Sequence, residues 1–245
     1  MAYLGKSNRL KGSLGNLVFR ELNGKTIVQR KPKKNTVKQT RPTQLAAVDF
    51  GSASTTAKKI RIGVKTYSRD LGDAQSFCRL RTRIQLAART DNSAPSGARK
   101  LWEGNPALLE GFEYNLHSPY ERYVQGIAPE LSLVNQQLQV SVEAFSPKQA
   151  LTWPKGASKA KLCFWMAVHR PEDDLSIQEA LFSVEVTPDQ DFIAESHFTS
   201  EAIPENCWVF LWTGIVYYSY NAVFDWESMN HKKLQPLRLW KVLQA

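Results

Sequence analysis

The stretch Cys207-Trp-Val-Phe-Leu-Trp-Thr-Gly-Ile-Val-Tyr-Tyr-Ser-Tyr220 decides the architecture. Trp208, Phe210 and Trp212 alternate with Val209 and Leu211, so a strand here is apolar on both faces, as a central strand is. At 14 residues, interrupted by Thr213 and Gly214, it falls short of a transmembrane span. Upstream, the alternation Ala160, Leu162, Phe164, Met166, Val168 marks another strand, and shorter runs occur at Leu138–Val142 and Phe182–Val186. Downstream, Leu237, Leu239 and Leu243, with Trp240 and Val242 on the opposite face, predict a closing strand. Several short strands separated by Pro and Asp/Asn turns predict an immunoglobulin-like antiparallel β-sandwich over residues 131–245.

Before this region the period changes. Thr43 reads as an N-cap, and Leu45, Val48, Ala53, Ala57 and Ile60 follow helical spacing. A second helix is predicted over Ala74–Ala88, with Ala74, Phe77, Leu80, Ile84 and Ala87 on one stripe and Arg79, Arg81, Arg83 and Arg89 on the other face. Residues 91–130 read as loops with one short helix. The expected class is therefore α+β, in three parts: a basic β-hairpin arm and linker (1–42), a helical middle (43–130) and the sandwich (131–245).

The arm is read from Asn16–Leu22 and Lys25–Arg30 around Asn23-Gly24, a pair that tolerates the positive φ of a tight two-residue turn. Pairing across it sets Phe19 opposite Val28 and Arg20 opposite Ile27. Leu17, Phe19 and Val28 then share one face, and Val18, Leu22 and Ile27 the other. A lone two-stranded hairpin is marginal in water, so this one needs a covering partner. It is followed by a basic, extended linker: Arg30, Lys31, Lys33, Lys34, Lys38 and Arg41 fall within twelve residues with no acid among them.

The pattern Gly12-Ser-Leu-Gly15-Asn16-Leu-Val-Phe19, Asn23-Gly24-Lys25, Arg30-Lys-Pro32, then Thr43-Gln44-Leu45 and Phe50, resembles an uncharacterised family of Bacteroidota and their mobile elements. The resemblance covers residues 12–60. It implies a Gly-x-x-Gly-Asn hairpin, a Thr/Gln-Leu helix and a β-rich remainder in a bacterial or phage-like setting; the family brings no activity with it. Thr43 is followed directly by Gln44, a tighter spacing than the family's.

Charge divides the chain further. Residues 1–100 hold 22 Lys/Arg and 5 Asp/Glu, and residues 101–245 hold 10 and 18, so the formal charge of +9 is a sum of +17 and −8. All seven Trp lie after residue 100. Such asymmetry points to a polyanion or to association between unlike surfaces.

Little in the sequence suggests catalysis, and an enzyme is not expected. Gly5-Lys6-Ser7 lacks the upstream glycine of a phosphate loop. His117, His169, His197 and His231 are scattered, and His169, opposite Phe164 and Met166, reads as solvated. The acidic groups Glu172-Asp173-Asp174 and Asp189-x-Asp191 read as solvated turns without a calcium-loop register. Cys78, Cys163 and Cys207 are too far apart for a metal knuckle or a disulfide framework. No cofactor, metal site or small-molecule substrate is expected. Lacking an apolar leader, the chain reads as made in the cytoplasm without an ordinary signal peptide, its destination open between an assembled particle and release from the cell.

Three functions remain. The leading expectation is a structural subunit of a filament or phage-like particle, a homo-oligomer assembled through Leu17, Phe19, Ile27 and Val28, with the basic linker against acidic protein surface. The alternative is nucleic-acid binding by the basic arm and the Arg79/Arg81/Arg83/Arg89 face, although no aromatic residues interleave with the cations. The third is a carbohydrate-binding sandwich using the Trp208-Phe210-Trp212 row, with Trp153 and Trp226 expected to be exposed.

Overall fold

Two hairpins open the chain and join into one antiparallel sheet, in the order β1-β2-β3-β4, from β1 (Ala2–Leu4), β2 (Leu10–Leu14), β3 (Leu17–Leu22) and β4 (Lys25–Arg30). The computed structural model describes all residues except Met1, Lys6, Ser7, Asn23, 32–38, 69–71, 172–175 and Phe224, and for 66–68 and 176–181 it describes backbone alone. Phe19 pairs with Val28 and Arg20 with Ile27, the register expected from the sequence. The sequence reading missed β1 and β2, because Gly12 and the Ser/Gly/Lys around it interrupt any period of two. Gly12 sits at φ +104°, a backbone conformation that glycine adopts without the Cβ penalty of other residues.

The chain divides into two compact units, Met1–Gln44 and Leu45–Ala245. The division falls at 44/45, beside the 42/43 expected from the sequence, and there is none at 130/131. The second unit contains both the helical middle and the β-rich C-terminal half, joined by a shared core. It comprises most of α1 (Arg41–Ser68), α2 (Ser76–Ala88), two 3-10 turns (Leu101–Glu103 and Pro106–Leu109), β5 (Phe112–Glu113), α3 (Tyr120–Tyr123), β6 (Glu130–Val134), β7 (Gln137–Val142), α4 (Pro147–Ala150), β8 (Lys159–His169), β9 (Ser176–Val186), β10 (Ser196–Ala202), β11 (Trp208–Asn221), β12 (Asp225–Ser228) and β13 (Leu237–Gln244). Helix α1 starts at Arg41 rather than at Thr43. Pro42 fits the first turn, where its missing N–H costs nothing, and the Gln44 N–H donates to the Thr40 carbonyl at 3.0 Å.

The fold is α+β, and its C-terminal half is antiparallel sheet. A six-stranded sheet runs β5-β13-β11-β8-β9, with β12 also on β11; a three-stranded sheet runs β10-β7-β6. Alternation along β8 and β11 sends side chains to two cores. Leu162, Phe164, Met166, Val168, Val209 and Leu211 face one way and pack with Leu138, Val140 and Val142 of the small sheet. Trp165, Ala167, Phe210 and Trp212 face the other way and pack with Ala53, Ala57, Ile60 and Val64 of α1 and Leu80, Ile84 and Ala87 of α2. A bulge where Leu211 pairs with Lys241 but Trp212 with Leu239 lets Leu239 and Val242 both reach the helical side.

Helix α1 approaches the sheet closely at Gly63. A Cβ there would lie 2.9 Å from Ala167 Cβ and 3.4 Å from Trp212 Cη2. The expectation is that Gly63→Val overpacks this contact by about 1–3 kcal/mol. In a unit of this size that lowers Tm by roughly 2–4 °C per kcal/mol; differential scanning calorimetry with an unchanged Tm would contradict the packing described.

Candidate assembly surface

The described residues of the first unit form no core. Among its described residues none is buried, and Leu4, Leu14, Leu22 and Val28 are each more than half exposed. Of the expected assembly residues, Leu17 (43 % exposed) and Val28 (51 % exposed) lie open on β3 and β4, while Phe19 and Ile27 are half-buried. Its polar contacts run along the sheet: Arg9 Nη1 and Lys11 Nζ meet the two carboxylate oxygens of Glu21 at 2.9 and 2.8 Å, and Arg20 donates to Gln29. A sheet with apolar side chains and no second layer is unfinished as a folding unit.

It is also strongly basic. Met1–Gln44 holds eleven Lys/Arg against one acid, Glu21, whereas Leu45–Ala245 holds 21 against 22. Arg30, Lys31 and Arg41 are exposed; Lys33, Lys34 and Lys38 lie outside the described residues.

The arginines of α2 are largely engaged, which corrects the expected free basic face. Arg79 Nη1 holds both oxygens of Asp73, at 2.6 and 2.8 Å, and its Nη2 donates to the Glu113 carbonyl. The Arg81 guanidinium lies 4.2 Å from the centre of the Phe50 ring. Arg83 donates to the Glu110 carbonyl and lies over Phe112. Only Arg89, at the C-terminal end, is exposed. The reason is local: Phe50 and Phe112 offer ring faces, and the Glu110–Glu113 segment offers carbonyls, to an arginine stripe spaced at helical intervals.

The aromatic row is core rather than a sugar platform. Phe210 and Trp212 are buried, Trp212 Nε1 donates to Tyr114 Oη at 3.3 Å, and Trp208 packs at the edge of the same cluster against Trp102. Trp226 is exposed as expected, but Trp153 is half-buried and donates to the Pro147 carbonyl. His169 is buried, its ring 4.9 Å from that of Trp102 and tilted by 34° to it, because the turn Leu101–Glu103 covers the face that the sequence left to solvent. Burial pushes the Cys163 thiol up to about 12, so it stays protonated at neutral pH. Among the described residues no three His, Cys, Asp or Glu side chains gather as a metal site, and no helix is long and apolar enough to cross a membrane. Glu172-Asp173-Asp174 and Lys6-Ser7 lie outside the described residues.

A surface that sequence reasoning missed is the outer side of the small sheet, a groove of about 350 Å³ lined by Glu130, Ser132, Gln139, Ser141, His197 and Thr199. Strands β6, β7 and β10 contain no Lys or Arg, and Glu130, Glu143, Glu195 and Glu201 are exposed on or beside them. The signal was present in composition: from Pro171 to His231 there is no Lys or Arg and there are twelve acids.

Neither the protein-family models nor the curated proteins compared with this chain give a match.

At the start of α3 lies a part-buried polar contact with a measurable consequence. Burial raises the Glu113 carboxyl to about 7, against the opposing influence of the Tyr120 N–H (3.1 Å from Oε2) and the Arg238 charge. Its folded pKa exceeds the ordinary 4.5, so the folded state holds the extra proton between these values. The contribution of Glu113 is then greatest below about 4.5 and is lost as pH rises through about 7. Chemical denaturation from pH 4.5 to 8 should show wild type losing stability relative to Glu113→Gln as pH rises, with the difference levelling above about 7. A pH-independent difference would contradict this account.

Proposed function

We propose that this protein is a structural, self-assembling subunit, whose N-terminal four-stranded sheet associates with a neighbouring copy. The observation that carries the reading is the absence of any buried residue among those described in Met1–Gln44, on a sheet that displays Leu4, Leu14, Leu17, Leu22 and Val28. Covering the exposed parts of Leu4, Leu14, Leu22 and Val28 contributes on the order of 4–7 kcal/mol. Losing translational and rotational freedom costs about 4–15 kcal/mol. Hydrophobic cover alone leaves a single contact weak, so backbone pairing and charge complementarity matter, and repeated contacts suit a filament or particle better than an isolated dimer.

Charge supports the same partner. A unit with eleven cations and one acid meets, in every other copy, a body whose small sheet has acids and no Lys or Arg. The resemblance of residues 12–60 to a Bacteroidota mobile-element family agrees with a phage-like setting. Two facing sheets support the sandwich part of the expected C-terminal fold, while helices over the outer face of the larger sheet distinguish it from a free-standing immunoglobulin-like domain.

Nucleic-acid binding is the second reading, favoured by the same cations on the first unit; with three arginines of α2 engaged, it rests on that unit alone. Such binding would fall steeply with salt.

Deleting residues 1–40 separates the two from a monomeric alternative. The second unit has its own core and is expected to stay folded. Analytical ultracentrifugation should show large species for the full chain without any ligand and a monomer for the truncation. Identical sedimentation of the two would sink the assembly reading, and a full chain that is large only with added nucleic acid would favour the second.

A further inference from the structure

We infer that the acceptor for the N-terminal sheet is the free edge of β6 in the next copy, and that the donor is the edge strand β4. This inference rests on the self-assembly reading above and names the two strands that meet.

The first unit has two edges, β1 and β4. β1 is three residues long and β4 six, so β4 offers the longer ladder. Lys31 N–H donates to the Asn16 carbonyl. With the register Val18↔Gln29, Arg20↔Ile27 and Leu22↔Lys25, antiparallel alternation turns the N–H and C=O groups of Ile27 and Gln29 toward β3. Those of Thr26, Val28 and Arg30 face outward.

In the small sheet, β7 lies between β10 and β6, and among the described residues β6 pairs with β7 alone. The turn Asn135-Gln136, both residues at positive φ, closes the pair Val134↔Gln137. Alternation from that closing pair leaves Leu131 and Leu133 with N–H and C=O groups on the open side. The Leu138 N–H, opposite Leu133, donates to Ser200 Oγ in β10, which agrees with that alternation. Leu133 and Val134 are 38 % and 44 % exposed.

The two edges are complementary in three ways. Each presents alternate backbone groups over five or six residues, which is what strand addition requires. Each displays apolar side chains, Val28 on one and Leu133 and Val134 on the other. Their charges are opposite: Lys25, Arg30 and Lys31 on the donor side, Glu130 on the acceptor edge and Glu143, Glu195 and Glu201 around it, with no Lys or Arg in β6, β7 or β10. Like-charged edges would repel, so β4 is a poor partner for another β4. The contact is head-to-tail, leaves one free donor and one free acceptor at the ends, and builds chains or closed rings.

Proline is tolerated on an edge strand where its N–H would face solvent, yet it removes a donor that strand addition needs. Val28→Pro therefore blocks the donor edge and Leu133→Pro the acceptor edge, both in the full-length chain. Each variant alone should sediment as a monomer, with self-association weakened about tenfold or more. Mixed in equal amounts they retain one good donor and one good acceptor, and should form a 1:1 dimer and nothing larger. A mixture that stays monomeric would overturn the inference. So would assembly of Leu133→Pro like wild type while Val28→Pro is monomeric, an outcome that keeps the arm as donor and moves the acceptor elsewhere. Assembly unaffected by either variant would overturn the inference and leave the self-assembly reading standing, whereas a wild type that is monomeric throughout would count against that reading itself. If circular dichroism shows either proline variant to be poorly folded, Leu133→Lys, which sets a cation on the exposed acceptor edge, should give the same loss of assembly.

Discussion

The central pair of strands, β8 and β11, has no polar face, and the second unit is organised by the need to cover both sides. Phe164 and Met166 require one layer, and Trp165 and Trp212 require another. The small sheet supplies the first. The second comes from α1 and α2, assisted by two short turns and β5. Polar groups drawn into this arrangement are paired as they are buried: Trp212 with Tyr114, Thr213 with Tyr120, and the Tyr217 hydroxyl with the Thr152 carbonyl. A buried hydroxyl or indole without such a partner would cost about 1–3 kcal/mol, so the short segments carrying Tyr114, Tyr120 and Thr152 are part of the fold rather than connections across it.

Much of this was legible in the sequence. Strands β7, β8, β9, β11 and β13, the α2 stripe of Leu80, Ile84 and Ala87, and the register of β3 with β4 follow from periods of 2 and 3.6 and from one turn, whereas β6, β10 and β12 were not read from the sequence. What periodicity cannot report is which distant element covers a given face. The side of β8 carrying His169 was read as solvated although Trp165 and Ala167 share it, because the cover there comes from Trp102, which is distant in sequence. The same blindness made Phe210 and Trp212 look available to sugars. The arginines of α2 formed a regular basic stripe in sequence, and their carbonyl and ring partners at Glu110, Phe112 and Glu113 are brought there only by tertiary packing. The candidate assembly surface was half legible: Val28 and Ile27 were in view, whereas the open edge at β6 emerges only once β7 is seen to lie between it and β10.

The division into units also reassigns the charge. The formal +9 splits at Gln44 into +10 for the first unit and −1 for the second. Within the second, residues 45–100 hold eleven Lys/Arg against four acids and residues 101–245 ten against eighteen. The positive charge of the helical layer is thus largely compensated inside its own unit, partly through specific contacts such as Arg79 with Asp73. The charge of the first unit has no such compensation beyond Glu21.

The first unit's lack of buried residues bears on how such a protein can change over generations. Substitutions in β8 or β11 are constrained from two sides at once, since each of those strands serves two cores. Substitutions in β1 to β4 disturb no interior. In the proposed assembly their consequences fall on association, and selection there acts through the partner rather than through the stability of the chain itself. A body with a packed interior joined to an appendage whose described residues have none is a combination in which, in the proposed assembly, the appendage can change partners while the body's packing is kept.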